Sequence, residues 1–206
     1  MMTKTLKYAF RITHIDNIPH IVLNGIVRAD SPLRDEHYVS IGDRQIIRVR
    51  GEMVVKGYRI SDYIPFYLGP RSPMLYVIQH GYNGVQRVEP ENIVYCIIRL
   101  DDLLNSNIDC IFTDGHAVSN LTSFYTKERL LMINDIVKYD DVYSSQWNSE
   151  TDIDLKRRKE AELLVRNDLP SQFVRGFVVY NEGAKQRMMG MGVEENMIVV
   201  APGYYF

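Results

Sequence analysis

Residues 62–76 read DYIPFYLGPRSPMLY. Fifteen positions hold three prolines (Pro65, Pro70, Pro73), four aromatic rings (Tyr63, Phe66, Tyr67, Tyr76), one arginine and one serine. Each proline fixes its own φ and steers the preceding residue away from helix, so the stretch forms a rigid turn. Because little entropy remains to be lost on ordering, its ring faces and donors could hold a flat ring and a phosphate. A proline-rich connector packed on a sheet would account for the same composition.

Outward from this turn the chain alternates short apolar runs with polar breaks. Residues 6–12 read as a first strand, rich in aromatic and β-branched side chains. Asp16 is placed to cap a short helix whose apolar face is Ile18, Ile21 and Val22, with Gly25 at its left-handed end. Residues 29–61 are polar and suit loops with short helical or strand pieces. Residues 74–79, 93–100 and 109–113 read as buried strands. Residues 126–137 suit a helix with Leu130, Ile133 and Val137 inward. A second helix fits residues 156–167, with Ala161, Leu164 and Val165 inward. Residues 174–180 and 197–201 close the chain as strands. The expected fold is a mixed α+β single domain over 1–206, without regular strand–helix alternation.

Composition narrows the function classes. Hydrophobic residues make up 46% and charged residues 24%, which is ordinary for a globular domain. No apolar run approaches the roughly 20 residues of a membrane-spanning helix. The start MMTKTLKYAF lacks the apolar core of a leader, and a cytoplasmic monomer is expected. Cys96 and Cys110 lie in apolar runs and should stay free thiols. The five histidines are scattered, so no metal site is expected. A net charge of −2 argues against coating nucleic acid by phosphate neutralisation alone, although a local groove remains compatible with it. Arg44, Arg48 and Arg50 form one basic cluster. The run Lys156, Arg157, Arg158 and Lys159 forms another, read as a solvated helix face.

Gly190 and Gly192 flank Met191 without a preceding strand or a following helix start, so a Rossmann or P-loop reading fails. Between residues 116 and 162, Phe124, Tyr125, Tyr139, Tyr143 and Trp147 interleave with Lys127, Arg129 and Lys138. That mixture suits a single strand, whose splayed bases stack on rings while cations follow the backbone. Some of these rings must be core, with Phe124 expected to be buried and Trp147 partly exposed.

The segment FYLGPRSPMLY resembles the hallmark of the DarT family of DNA ADP-ribosyltransferase toxins. RITHIDNI near the N-terminus, FTDGHA at 112–117 and KEAELLV at 159–165 match the same family in the same order. The resemblance implies an ADP-ribosyltransferase fold with a split central, mainly antiparallel sheet flanked by helices. It implies NAD as donor, a base in single-stranded DNA as acceptor, no metal, and an antitoxin that removes the mark. Glu162 then matches the catalytic glutamate, which engages the nicotinamide ribose and stabilises the oxocarbenium-like state. Arg50 matches the active-site arginine, with Arg48 the alternative, because the chain is shorter than some relatives before Asp62. His116 matches a further site histidine. Arg11, Ile12, Thr13 and His20 match cofactor contacts, although some relatives carry histidine in place of Arg11. Tyr67, Arg71, Ser72, Pro73, Met74, Leu75 and Tyr76 form the NAD-binding element, to which Arg50 also belongs. Tyr143, Trp147, Arg48 and Lys127 are the candidate DNA contacts. The family includes members directed to thymine and to guanine. An RNA or protein acceptor, or a non-catalytic module of the same fold, are the other readings.

Overall fold

The computed structural model describes residues 4–206, so the first three residues of the MMTKTLKYAF start lie outside the described residues. In order come β1 (Tyr8–His14), α1 (Ile18–Asn24), α2 (Arg44–Glu52), and the two-residue strands β2 (Val54–Val55) and β3 (Tyr58–Arg59). Next are β4 (Tyr63–Tyr67), α3 (Pro73–His80), β5 (Ile93–Arg99), α4 (Leu100–Leu104), β6 (Cys110–Thr113) and β7 (Phe124–Thr126). The single turns α5 (Ile133–Ile136) and α6 (Tyr139–Val142) lead to α7 (Leu155–Lys159), β8 (Glu162–Arg166), β9 (Val174–Val179), α8 (Glu182–Gly190) and β10 (Ile198–Val200).

The eight main strands form one sheet in the order β10-β9-β5-β1-β4-β8-β6-β7. Only β9 and β10 are parallel neighbours. β1 pairs with β5 along its whole length, from Tyr8 opposite Arg99 to His14 opposite Ile93. β4 pairs with β8 from Tyr63 opposite Arg166 to Tyr67 opposite Glu162. Between β1 and β4, however, only Phe10 and Tyr67 are in register. The sheet is therefore two four-stranded halves joined at one point, the split architecture expected above. Phe10, Phe66, Phe112 and Phe177 are buried along it, and packing of this density accounts for most of the stability.

Several local expectations change. Residues 74–79 are helix, not strand. The Ser72 hydroxyl accepts from the Leu75 N–H at 3.2 Å, Pro73 occupies the first turn, and Gly81 ends α3 in the left-handed region. A six-residue apolar run has no period that separates a buried helix from a strand, and here the caps decide. Residues 156–167 are not one helix. α7 stops at Lys159, and Glu162–Arg166 is a strand between β4 and β6 whose first four residues are all buried. Burial on both faces removes the alternation that marks a strand. Residues 126–137 form a 3-10 stretch (Lys127–Met132) and then α5, with Leu130, Ile133 and Val137 buried as expected. Asp16 is not the cap of α1, since it sits inside the 3-10 turn Ile15–Asn17, and Asn17 holds the cap position. Val22 is exposed while Ile18 and Ile21 are buried. Gly25 does end α1 with φ +84°, where a Cβ would overlap the Leu169 carbonyl. Phe124 is half-buried rather than buried. Cys96 and Cys110 are free and buried, and burial pushes both thiols up to about 12.

Candidate active site

Glu162 opens β8 on the far side of β4 from the split, and its side chain is only 2% exposed. Its backbone N–H donates to the Thr113 hydroxyl at 2.9 Å, and that hydroxyl donates to the Gly115 carbonyl at 2.6 Å. The start of the strand is thereby locked to the turn after β6. Three donors converge on the carboxylate. Arg50 donates from Nη1 at 3.3 Å and from Nη2 at 2.8 Å, and the Ala117 N–H reaches Oε1 at 3.0 Å. A carboxylate held this way keeps its orientation. Burial would lower the Arg50 pKa, but Glu162 more than offsets it and holds the guanidinium above its ordinary value. The arginine that reaches Glu162 is thus Arg50. Arg48 is exposed and pairs with Glu52 at 3.5 Å on its own helix.

His116 lies beside this pair. Burial depresses its pKa against the opposing pull of Glu162, so the imidazole is neutral at pH 7. Tyr67, in register with Glu162, is raised well above its ordinary value by burial and then by Glu162 and Glu160.

On β1, Arg11 donates to the Pro65 carbonyl at 3.1 Å and so bridges the split. Thr13 accepts from Asn17 Nδ2 at 2.9 Å, and Asn17 in turn clamps both backbone groups of Val39. His20 Nε2 meets the Leu33 carbonyl at 2.8 Å. The expected cofactor contacts therefore also anchor the 29–43 segment to β1 and α1. Asn17 was not singled out by the sequence, although it stands inside RITHIDNI. Ile12 lies half-buried on the same strand, packed against the cluster around Phe10.

In the proline-rich turn, Arg71 takes φ +53° and its N–H donates to the Tyr95 hydroxyl at 3.1 Å. Its guanidinium lies 4.8 Å from the Phe206 ring, and its buried Nε has no hydrogen-bond partner among the described residues. Leu75 is core, whereas Pro73 and Met74 line a cleft of about 370 Å³ with His116, Lys156 and Glu160. A second cleft of about 550 Å³ continues from it past Tyr76, Arg71 and Trp147. Gly69 is the point of closest approach in this turn. A Cβ there would overlap the Val142 carbonyl, which already accepts from the buried Lys159 ammonium at 3.1 Å. Lys159 also donates to the Pro70 carbonyl at 3.3 Å, and burial lowers its pKa to about 8. Gly69→Ala is expected to lower thermal stability by about 1–3 kcal/mol, as overpacking does, and to weaken NAD affinity in the same variant. Calorimetric melting and NAD titration check this.

The candidate DNA contacts divide. Trp147 is half-buried beside Tyr76 and Phe206, with ring centroids 5.5 and 5.3 Å away, and it faces the second cleft. Tyr143 instead stacks on Tyr139 at 4.0 Å and packs edgewise on Phe10, so that ring is committed to the core. The Lys127 ammonium is occupied by the carbonyls of Ser106 and Ile108, where it ties the loop between α4 and β6 to the stretch after β7. The run 156–159 is not a solvated face. Arg157 pairs with Asp154 and Asp114, Arg158 with Asp141, Asp152 and Asp154, and Lys159 is buried, which leaves Lys156 outward. Among the described residues no group of three potential metal ligands occurs, and no helix is long and apolar enough to cross a membrane.

Comparison with known proteins decides what this geometry belongs to. The profile of one family, described as ssDNA thymidine ADP-ribosyltransferase, DarT, matches residues 10–206. The chain belongs to the DarT family. A DNA ADP-ribosyl transferase of Escherichia coli O127:H6 is 30% identical over 204 residues, covering 96% of this chain and 92% of the relative. The DarT of Thermus sp. 2.9, solved in complex with ADP-ribosylated ssDNA, superposes over 100% of both chains with a TM-score of 0.82 and 25% identity. A fusion of DNA ADP-ribosyl transferase with DNA ADP-ribosyl glycohydrolase from Thermosipho africanus is 26% identical over 96% of this chain and 49% of the fusion. The DarT match covers the split between β1 and β4 and every segment quoted for the resemblance.

Proposed function

We propose that this protein transfers ADP-ribose from NAD to a base in single-stranded DNA with release of nicotinamide. The observation that carries the reading is a buried carboxylate, Glu162, held by Arg50 and the Ala117 N–H at the start of β8 in a DarT-family sheet. A fixed negative charge in a water-poor cleft stabilises the positive charge that develops on the ribose as nicotinamide leaves. Glu162 takes that role, Arg50 orients it, and neutral His116 adjoins the acceptor. NAD lies along the turn from Tyr67 to Tyr76 and the end of β1. Single-stranded DNA is the sensible acceptor because a paired base hides its reactive edge. The base is thymine or guanine. The protein acts in the cytoplasm as a single-domain monomer, as the toxin of a pair whose antitoxin removes the mark. The Thermosipho fusion of transferase and glycohydrolase supports such a partner. Incubation with labelled NAD and parallel DNA, RNA and protein acceptors tests the reading: label on single-stranded DNA alone is expected, and label on RNA or protein alone overturns it.

Trp147 is the DNA contact that the geometry supports. Trp147→Ala is expected to weaken oligonucleotide binding by about 1–3 kcal/mol, the loss of one stacked base, while NAD affinity holds. Because the ring also rests on Tyr76 and Phe206, melting temperature is measured on the same variant. A joint loss of stability and both affinities would assign the ring to the core.

A further inference from the structure

Transfer to a ring nitrogen releases one proton, and the groups already described are poor places for it. Arg50 is held in its charged form and spends two N–H groups on Glu162. Glu162 is occupied by three donors. One acid nearby has no such engagement. Glu160 is 7% exposed, so it is buried as deeply as a core residue, yet among the described residues nothing donates a hydrogen bond to its carboxylate. It lines the 370 Å³ cleft with His116, Met74 and Lys156, two residues before Glu162. Its oxygens are not sealed in the core but open on the cleft, and a largely buried carboxylate left free at a cleft beside a reaction centre marks a functional group.

We propose that this cleft seats the acceptor base and that the Glu160 carboxylate accepts the ring N–H of that base. The proposal rests on the transferase reading above. The bond from ribose C1 to the nicotinamide nitrogen breaks and its electron pair leaves with nicotinamide. The base nitrogen supplies the pair for the new bond to C1, and its proton passes to Glu160 and then to solvent. The charged groups around Glu160 are Lys156, Arg157 and Lys159 from α7, Glu162 from β8, His116 from the turn after β6, and Asp43 just before α2 across the cleft. Burial, assisted by Glu162 and opposed by the two lysines, raises its pKa to about 7. That value suits proton exchange at neutral pH.

The test is Glu160→Gln, an isosteric change, assayed in the full chain for DNA transfer, for nicotinamide release without acceptor, and for NAD affinity. Transfer is expected to fall about 100-fold or more, as for loss of a general base, with the two NAD readouts unchanged. Wild-type transfer should decline as pH falls through about 7, and the residual rate of the variant should be flat there. Stability supplies a control with a definite sign. A carboxyl raised in the folded state contributes stability below its unfolded pKa and loses it as pH rises through 7, so the glutamine variant should melt no lower than wild type at pH 8. If it fails to fold, Glu160→Asp keeps the charge and should retain the pH limb at a lower rate, and loss of that limb overturns the proposal. Near-wild-type transfer by Glu160→Gln, or a limb that survives there and vanishes in His116→Gln, also overturns it. A wild-type protein that labels no DNA while releasing nicotinamide would sink the transferase reading first, and the two failures are therefore distinguishable.

Discussion

Glu162→Gln is expected to lower transfer to single-stranded DNA and nicotinamide release together by about 10²–10³-fold, the cost of removing one preorganised electrostatic contact from a transition state. The glutamine oxygen can still accept from the Ala117 N–H, so the turn after β6 keeps its anchor. What it cannot supply is the charge that faces the developing cation. Because the lost interaction is made mainly in the transition state, kcat should carry the loss while NAD affinity changes little. Glu162→Ala is the poorer probe, since truncation strands the Arg50 guanidinium, itself only 12% exposed. Breaking one side of a buried ion pair costs about 3–5 kcal/mol, and the alanine variant would confound stability with chemistry. Steady-state kinetics with melting curves on both variants separate the two. Wild-type-like turnover by the glutamine variant would remove Glu162 from the reaction.

Arg50→Ala should produce the next largest effect, through both catalysis and folding. α2 contributes no buried residue to the core, and Ile47 and Val49 on it are exposed. The helix is held by its Asp43 cap, by contacts to the turn after β3, and by Arg50 reaching Glu162. Without that guanidinium, Glu162 loses two of its three donors and the segment around α2 loses its deepest tether. Transfer is expected to fall about 10²–10³-fold, and amide exchange in residues 44–52 should accelerate, since elements with few buried contacts open first. Arg50→Lys keeps the charge but cannot make the two-pronged contact, so it should recover part of the protection and little of the rate. Unchanged exchange in Arg50→Ala would show that α2 is held by other means.

The strands β5, β6, β9 and β10, the split sheet and the DarT family were legible in the sequence, whereas the rigid turn read over 62–76 is confined to residues 68–72, between strand β4 and helix α3. Proline, glycine and short β-branched runs act locally, and an ordered set of motifs survives wherever the chain places it. Glu162, Arg50 and His116 were named from motifs alone, and the folded chain brings them together. Local pattern could not distinguish a helix from a fully buried strand at residues 162–166, because burial on both faces erases periodicity. Nor could it tell a cation facing solvent from one consumed in the fold. Arg157, Arg158, Lys159 and Lys127 look alike in sequence, and only tertiary contacts assign them to carboxylates or to buried carbonyls. Tyr143 and Trp147 likewise sit four residues apart with the same chemistry, yet one stacks against Tyr139 and the other borders an open cleft. Which of Arg50 and Arg48 reaches Glu162 depends on the direction each side chain leaves α2, and whether the Glu160 carboxylate is engaged depends on which donors the fold brings within reach of it. Residue types and their order determined the family and its chemistry, whereas distances between segments far apart in the chain decided which polar groups are free to act.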